Sequence, residues 1–277
     1  MLMSDRSTRE LFTSPSPARV YNALTGGKDN LAYDRDVVDT MLQTAGGLRA
    51  AARAHIEFVA RATRVVAEAG IRQWLNLGCG LPPEGFGATY DTVAEFHPDA
   101  RVVYVDHDPH VTVHGRALLE VSAATGVVEA DARHVDEVLG HEEADLLNRN
   151  KPVGILATAL AHFWPDSCDP AAILRRYIEA FPSGYLIFSH ARSDLLDPEE
   201  LEQLTAAYRP AASIYAPPLK VISSFLDGLE LLEPGLVEAS EWRPDSPIPY
   251  DVGRAHFVVA VGRFDSDAGF HPIREVA

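Results

Sequence analysis

Apolar residues recur at two different spacings along this chain, and the change comes near Gly70. Before Gly70 they recur every three or four residues, which is typical of helices that bury one face. Gly26 and Gly27 mark the end of the first such helix, because glycine readily takes the conformation that ends a helix. The helices predicted in this part cover 18–24, the stretch from Asp29 or Asn30 to about Thr44, and 49–69.

After Gly70, short apolar runs alternate with helical stretches, a pattern that predicts parallel strands with crossover helices on both faces of a sheet. Two later apolar runs have only a Pro-rich loop between them, which indicates an antiparallel hairpin. The predicted parallel strands cover 73–77, 101–105, 127–129, 153–160 and 185–189, and the hairpin covers 236–242 and 256–263. The predicted fold class is therefore α/β, with a doubly wound, mostly parallel seven-stranded sheet of the Rossmann-like type and a C-terminal antiparallel hairpin.

The same pattern divides the 277 residues into a core and its flanking parts. The polar segment 1–17, broken by Pro15 and Pro17, is predicted to be a flexible tail. Residues 18–70 are predicted to form an N-terminal helical lid, 71–265 the Rossmann-like core, and 266–277 a C-terminal tail. A hydrophobic fraction of 47% is ample for a core of this size.

The chain is acidic, with 40 Asp and Glu against 24 Lys and Arg, and a formal net charge of −16. Nucleic-acid binding depends on Lys and Arg that replace counterions along the phosphate backbone, so this charge disfavours a nucleic-acid substrate. Two cysteines, Cys79 and Cys168, are too few for a disulfide framework or a thiolate zinc site, and we predict no metal. The lack of an apolar signal core or a long apolar run predicts a soluble, cytoplasmic protein with no membrane partner.

Ligands of an open parallel sheet bind beyond the carboxyl ends of the strands, where the strand order reverses. Gly78 and Gly80 follow the first predicted strand and permit a tight turn that lets a ligand approach the backbone. Asp106 ends the second strand and can accept hydrogen bonds from both hydroxyls of a ribose. Asp131 follows the third strand and can accept one from an adenine amine. The residues predicted to bind an adenosine ligand at these ends are Gly78, Gly80, Asp106, His107, Asp131, Ala132, Arg133, Thr158 and Phe163.

The residues after Gly80 decide between two adenosine ligands. A dinucleotide site presents free backbone N–H groups to a pyrophosphate, but Pro82 and Pro83 have no N–H, and Glu84 would bring a negative charge near the phosphates. S-adenosylmethionine has no phosphate and carries a positive sulfonium, so neither feature opposes it. The sequence therefore predicts S-adenosyl-L-methionine as the cofactor.

Several motifs resemble an actinobacterial family of S-adenosylmethionine-dependent methyltransferases that was formerly filed as a domain of unknown function. The motifs are Ala18-Arg19-Val20-Tyr21, Gly26-Gly27-Lys28-Asp29-Asn30, Gly78-Cys79-Gly80-Leu81-Pro82, Val103-Tyr104-Val105-Asp106-His107-Asp108-Pro109, His162-Phe163-Trp164-Pro165-Asp166 and Trp242-Arg243-Pro244. The resemblance implies a class I methyltransferase fold that holds the cofactor at the Gly78 turn, Asp106 and Asp131 and admits its substrate between lid and sheet. Common class I enzymes carry Asp where this chain has Asn76, and Pro82 stands where they have a third glycine.

The most specific of these marks is Ala18-Arg19-Val20-Tyr21 leading to Gly26-Gly27-Lys28-Asp29-Asn30, and it implies a role for the lid. Its loop is expected to close over the methionine part of the cofactor, with Lys28 or backbone N–H groups meeting the carboxylate and Tyr21 packing alongside. The residues of the lid expected to contact the cofactor are Tyr21, Gly26, Gly27, Lys28 and Asn30.

Methyl transfer is an in-line displacement, in which a protein mainly positions and desolvates the nucleophile. If the acceptor must lose a proton, His162 is our first candidate base and His190 our second. The acceptor is predicted to be a small molecule or a peptide. A non-catalytic or regulatory protein that binds the same cofactor is the main alternative, and a nicotinamide oxidoreductase is a less favoured one.

Overall fold

A computed structural model describes residues 13–119, 123–245 and 257–265 of the chain. Its helices are α1 Pro17–Leu24, α2 Ala32–Thr44, α3 Leu48–Glu68, α4 Thr89–Phe96, α5 Pro109–Leu118, α6 Val135–Leu139, α7 Pro170–Glu179, α8 Pro198–Tyr208 and α9 Leu219–Ser224. Its strands are β1 Gln73–Leu77, β2 Arg101–Asp106, β3 Thr125–Glu129, β4 Val153–Ala157, β5 Ser183–Ala191, β6 Glu230–Leu231, β7 Val237–Glu238 and β8 Phe257–Asp265. The predicted C-terminal tail, 266–277, and most of the predicted N-terminal tail lie outside the described residues.

The strands form one sheet in the order β3-β2-β1-β4-β5-β8-β6, and β7 also pairs with β8. The first five strands are parallel, and β8 runs antiparallel to β5. This arrangement confirms the predicted doubly wound, mostly parallel α/β fold. The strand order reverses between β1 and β4, where such sheets bind their ligands.

The sheet has eight strands within the described residues, so the prediction of seven was wrong. The two-residue strands β6 and β7 each pair antiparallel with β8, and β6 had no signal in the sequence because it is too short to alternate. The run 236–242 was predicted as a long strand, but only Val237–Glu238 pairs with β8. Its apolar end reflects side-chain burial instead, because Trp242 is fully buried with its ring 5.4 Å from that of Phe58 in α3.

The two faces of the sheet carry separate hydrophobic clusters. On one face Trp74 of β1 packs with Phe58 of α3 and Val93 of α4. On the other face Leu75 of β1 packs in the cluster that contains Leu174 of α7. Successive side chains of a strand point to opposite faces, which explains this division. Helix α3, predicted as part of the lid, thus also covers the sheet, and the predicted boundary at residue 70 stays a prediction.

A third cluster holds the lid together. It joins Val20 and Leu24 of α1, Met41 of α2, and Leu204 and Tyr208 of α8. Because α8 follows β5, the lid is completed by a helix from the core region. These helices stand over the edge of the sheet at which the strand order reverses.

The beginnings of two lid helices differ slightly from the prediction. Helix α1 begins at Pro17, which is favoured at a first helical position. Helix α2 begins after Leu31, so the prediction that Asp29 or Asn30 caps it was wrong. Leu31 occupies the N-cap position, and the Asp34 Oδ2 accepts a hydrogen bond from its N–H at 2.8 Å.

Candidate active site

A cavity of about 470 Å³ lies where the strand order reverses. The turns after β1, β2, β3 and β4 form one side of it, and α1, α3 and α8 form the other. This volume is within the range of small-molecule sites, which are about 300–1,000 Å³. The predicted site residues that line it are Tyr21, Gly78, Gly80, Asp106, His107, Asp131, Ala132, Arg133, Thr158, His162 and Phe163.

The turn after β1 depends on its two glycines. Gly78 and Gly80 have φ angles of +60° and +59°, a region that side-chain-bearing residues rarely adopt. A Cβ on Gly78 would also lie 2.5 Å from Cδ1 of Leu160. The Cys79 N–H donates to the carbonyl oxygen of Val105 at 3.0 Å and so carries the β1–β2 ladder one step beyond β1. The turn thereby keeps its backbone at the cavity.

Asp106, at the end of β2, holds two turns at once. Its Oδ2 accepts from the Gly80 N–H at 2.9 Å, and its Oδ1 accepts from the Asp108 N–H at 3.0 Å. Burial raises the pKa of this carboxyl, and the two N–H groups oppose that shift. Asp108 caps α5 by accepting from the His110 N–H at 2.9 Å. The exposed His107 ring lies 3.8 Å from the Asp106 Oδ1.

Asp131, after β3, is paired within its own turn. Its carboxylate accepts hydrogen bonds from the Arg133 guanidinium at 3.0 Å and from the Arg133 N–H at 2.9 Å. Burial acts to raise the pKa of Asp131, but the hydrogen bonds from Arg133 outweigh it and hold the pKa below its ordinary value. The carbonyl oxygen of Ala132 accepts from the buried Tyr177 hydroxyl at 2.8 Å, which anchors the turn to α7.

Four residues of the lid loop predicted to contact the cofactor do not line the cavity. The Asn30 Nδ2 donates to the Asn22 Oδ1 at 2.9 Å and to the Gly27 carbonyl at 2.8 Å, so the loop is bound to itself. The Lys28 ammonium is exposed and lies 3.0 Å from the Glu84 carboxylate. The four are Gly26, Gly27, Lys28 and Asn30.

The two candidate bases lie at different depths. His162 lines the cavity, is 5% exposed, and its Nδ1 has no hydrogen-bond partner within the described residues. Burial, with a smaller effect of His190 and His55, lowers its pKa well below the ordinary value. His190 does not line the cavity, and its Nδ1 donates to the Ala191 carbonyl at 2.6 Å. Burial lowers the pKa of His190 to about 4.

The structure adds a buried chain of hydrogen bonds that the sequence did not indicate. His55 of α3 lies at the cavity, with Nδ1 2.6 Å from the Tyr21 hydroxyl and Nε2 2.7 Å from the Oγ of Ser189. Ser189 Oγ also accepts from the Ala159 N–H at 2.7 Å. Burial lowers the pKa of His55 to about 3, so the imidazole is neutral. The one signal in the sequence for this chain of hydrogen bonds was His55 itself, a titratable residue among the apolar positions of α3.

Asn76, where common class I enzymes carry Asp, also lines the cavity. Its Nδ2 donates to the Thr89 Oγ1 at 3.1 Å and so ties β1 to the start of α4. Within the part of the chain that the structure describes, no group of three or more His, Cys, Asp or Glu side chains is placed to hold a metal ion. None of the described helices is both long enough and apolar enough to cross a membrane.

A doubly wound sheet with an acid at the end of β2, another after β3 and a ligand cavity at its reversal point has the architecture of a class I methyltransferase. The model of a family described as S-adenosyl methyltransferase matches residues 5–265. The chain belongs to this family. It is an S-adenosylmethionine-dependent methyltransferase, and S-adenosyl-L-methionine is its cofactor.

Solved structures agree with this assignment. A DUF574 family protein from Streptomyces avermitilis MA-4680 is 32% identical, with a TM-score of 0.85 over 91% of this chain and 98% of that chain. A protein from Thermobifida fusca YX, described as a candidate methyltransferase, is also 32% identical, with a TM-score of 0.85 over 95% and 100%. The resemblance to an actinobacterial methyltransferase family is therefore confirmed. No curated protein matches this chain.

A more distant structure shows the fold alone. The plantazolicin methyltransferase, solved with a triazolic desmethylPZN analogue and S-adenosylhomocysteine, is 9% identical, with a TM-score of 0.50 over 95% of this chain and 100% of that chain. Neither a non-catalytic binding protein nor a nicotinamide oxidoreductase finds support in these comparisons.

Proposed function

We propose that this methyltransferase transfers the methyl group of S-adenosylmethionine to a small-molecule acceptor held between the lid helices and α8. The observation that carries the proposal is that a single cavity connects the Asp106 edge of the sheet with His162 and with the lid helices. The net charge of −16 favours a small molecule over a nucleic acid, and we propose that the enzyme works in the cytoplasm.

The residues at the sheet edge fit the cofactor. A carboxylate has about four lone-pair sites, and Asp106 uses two of them for the Gly80 and Asp108 N–H groups, which leaves acceptors for the ribose hydroxyls. We assign Asp131 and the backbone of Ala132 to the adenine and Thr158 to the methionine part, since all three residues line the cavity. When bound, S-adenosylmethionine supplies an electrophilic methyl group on a positively charged sulfur.

The lid loop would act through its contact with the sheet edge. Lys28 reaches across to Glu84, which lies in the segment after Gly80, so the loop contacts that segment from outside the cavity. Gly26, Gly27 and Asn30 shape the loop. Tyr21 is the residue of the predicted lid group that reaches the cavity.

His162 is the residue to which we assign the acceptor's proton. It lines the cavity, and it is neutral because burial lowers its pKa. His190 lies behind it, with ring centroids 5.6 Å apart, and so would act on the acceptor only through His162.

Thermal unfolding with separate ligands tests the cofactor part of this proposal. A ligand present at about 100 times its Kd stabilises a protein by about 2.7 kcal/mol, which for a domain of this size raises Tm by about 5–10 °C. We expect such shifts with S-adenosylmethionine and with S-adenosylhomocysteine, and none with NAD. Stabilisation by NAD alone would overturn the proposal, and the absence of any shift would favour a protein that uses neither cofactor.

A further inference from the structure

The cavity has an apolar end beneath the lid. Its walls come from α1, α2, α3, α8 and the segments on either side of α8, whose side chains also pack with one another in the lid cluster. The lining side chains there include Leu24, Met41, Leu48, Leu196, Leu204 and Ile214. A molecule at this end contacts carbon on most sides, so the burial of apolar surface is the main source of its affinity.

The charged side chains of the cavity offer no counter-charge to such a molecule. Among the described residues that line it, the Asp, Glu, Lys and Arg side chains are Asp106, Asp108, Asp131, Arg133 and Arg192. The first four belong to the turns after β2 and β3, at the other end. Arg192 is bound by Asp194 at 2.7 Å and by Glu238 at 2.8 Å. An ionised acceptor would lose its hydration without gaining a partner, which strongly disfavours its binding.

His162 supplies the polar contact at the junction of the two ends. Its ring lies 4.3 Å from that of Phe163, and Phe163 in turn stacks at 5.9 Å on Tyr208 of α8, so the imidazole borders the apolar end. The Nδ1 of His162 is buried without a hydrogen-bond partner in the described part of the chain. The imidazole itself lines the cavity, so a hydroxyl on the acceptor would find a hydrogen-bonding ring beside it.

We infer that the acceptor is an uncharged, largely apolar ring compound that is methylated on a phenolic hydroxyl, an inference that rests on the proposed methyl transfer. The hydroxyl oxygen forms the new O–C bond with one of its own electron pairs. The S–C bond breaks with its pair left on sulfur, and the hydroxyl proton passes to the His162 imidazole. The positive charge of the sulfonium is thereby replaced by that of an imidazolium, which releases its proton to water after the product leaves.

The strength of the available base favours a phenol over other nucleophiles. A phenol has a pKa of about 10, whereas an alcohol resembles water and is a far weaker acid. His162 is a weak base because burial lowers its pKa, so it suits the more acidic hydroxyl. An aliphatic amine would arrive as an ammonium ion, which the apolar end disfavours and from which a proton must be removed before reaction.

Calorimetry on the protein saturated with S-adenosylhomocysteine tests the class of acceptor separately from the proposed methyl transfer. β-Naphthol is titrated alongside hydroxynaphthoate and hydroxynaphthyl-methylamine, which add a negative and a positive charge to the same ring. We expect β-naphthol to bind at least about tenfold more tightly than either analogue. Equal or tighter binding of a charged analogue, or no binding of β-naphthol up to its solubility limit, overturns the inference. Failure of S-adenosylhomocysteine to bind overturns the proposed function instead.

A pair of neighbouring leucines provides a matched test of the missing counter-charge. Leu196 lines the cavity, whereas Leu195 is exposed and does not. Leu196→Lys should reduce the preference for β-naphthol over hydroxynaphthoate at least about tenfold, and Leu195→Lys should leave it unchanged. The same effect from both variants would mean that long-range charge, and not the apolar end, sets the preference.

A methyl-transfer assay tests whether the acceptor is methylated on a phenolic hydroxyl. With S-adenosylmethionine, the enzyme should convert β-naphthol to its methyl ether, detected by mass spectrometry. His162→Gln should lower kcat more than it changes KM. Binding of β-naphthol with methylation at carbon, or without methylation, overturns the assignment of a phenolic oxygen.

Discussion

At the scale of single residues, the Asp106 carboxylate connects the two turns that the cofactor must meet. Its oxygens are anchored by N–H groups of Gly80 and Asp108, so their positions are set before any ligand arrives. A hydrogen-bond acceptor whose orientation is fixed in advance loses little entropy when the ligand binds. A carboxylate that is ionised also forms stronger hydrogen bonds than a neutral group.

Asp106→Asn should therefore weaken S-adenosylhomocysteine binding. The loss of a hydrogen bond to a charged group costs about 1.5–3 kcal/mol, which corresponds to roughly a 10- to 100-fold increase in Kd by calorimetry. Asp108→Asn is the matched control, because Asn caps a helix as well as Asp does, and its Kd should stay within about threefold of the wild-type value. An unchanged Kd in Asp106→Asn would remove this carboxylate from the cofactor site.

For Lys28 we expect the opposite result, namely that its removal leaves cofactor binding almost unchanged. Its ammonium is 84% exposed and lies beside Glu84, outside the cavity lining, and exposed ion pairs contribute little. Lys28→Ala should change the Kd for S-adenosylmethionine less than about threefold, and Glu84→Ala should behave in the same way. A tenfold loss in Lys28→Ala alone would show that the side chain leaves Glu84 to meet the cofactor's carboxylate, as the sequence predicted.

At the scale of elements, the start of the lid is held by a buried ion pair. Asp34 of α2 accepts from the Arg19 Nε of α1 at 2.9 Å, from the Leu31 N–H at 2.8 Å and from the Ser16 N–H at 3.1 Å. Both charged side chains are almost fully buried. One carboxylate therefore fixes the beginning of α2 and the approach to α1.

Removal of that carboxylate should destabilise the protein strongly. Asp34→Ala leaves the Arg19 guanidinium buried without the Asp34 carboxylate as its counter-ion, a change that costs about 3–5 kcal/mol in the free energy of unfolding measured with urea. Asp36, on the exposed side of the same helix, is the matched control, and Asp36→Ala should change that free energy by less than about 0.5 kcal/mol. A comparable loss in both variants would point to helix propensity instead of the ion pair.

The chain of hydrogen bonds from Tyr21 to Ala159 joins lid and sheet. Ser189→Ala removes the acceptor of the Ala159 N–H and the partner of the His55 Nε2. A buried polar group left unpaired costs about 1–3 kcal/mol, and we expect a loss of at least that size in urea unfolding. Ser183→Ala, at the far end of the same strand, should have a much smaller effect. A stable Ser189→Ala protein would mean that water or a rotated side chain replaces the hydroxyl.

The sequence predicted the features that depend on neighbours along the chain. The bounds of β1 and the end of α2 at Thr44 follow from local periodicity. Contacts between distant positions gave no such signal. His55 and Ser189 are 134 positions apart, and they meet only because α3 packs on the sheet beside β5.

The residues of the candidate site also divide into those that the local sequence predicted and those whose position depends on distant contacts. The residues that follow strands line the cavity, because parallel strands bring their carboxyl ends to one edge and the sequence shows where each strand ends. The loop around Lys28 was assigned by resemblance, and its orientation depends on how the lid packs on α8 and on the side-chain contact with Glu84. Neither contact leaves a periodic pattern in the sequence.

At the scale of the whole molecule, burial keeps three histidines neutral around the junction of lid and sheet. Burial lowers the pKa of His55 to about 3 and that of His190 to about 4, and it lowers the pKa of His162 well below its ordinary value. In the unfolded chain each would titrate near pH 6.5. The unfolded state therefore binds more protons than the folded state below about pH 6.5, and stability falls as the pH falls.

Each of these histidines should lower the free energy of unfolding by about 1.4 kcal/mol between about pH 7.5 and pH 5.5, or about 4 kcal/mol for the three together. Urea unfolding in about 0.5 M salt, which screens the surface charges, measures this loss. His190→Asn retains a donor for the Ala191 carbonyl and does not titrate in this range, so its loss should be about 1.4 kcal/mol smaller than that of the wild type. Asp106, whose pKa burial raises, acts in the opposite direction but is common to both proteins and cancels in the comparison. The same loss in both proteins would mean that His190 takes up its proton in the folded state, which would require the packing between β5 and the His162 segment to open in mild acid.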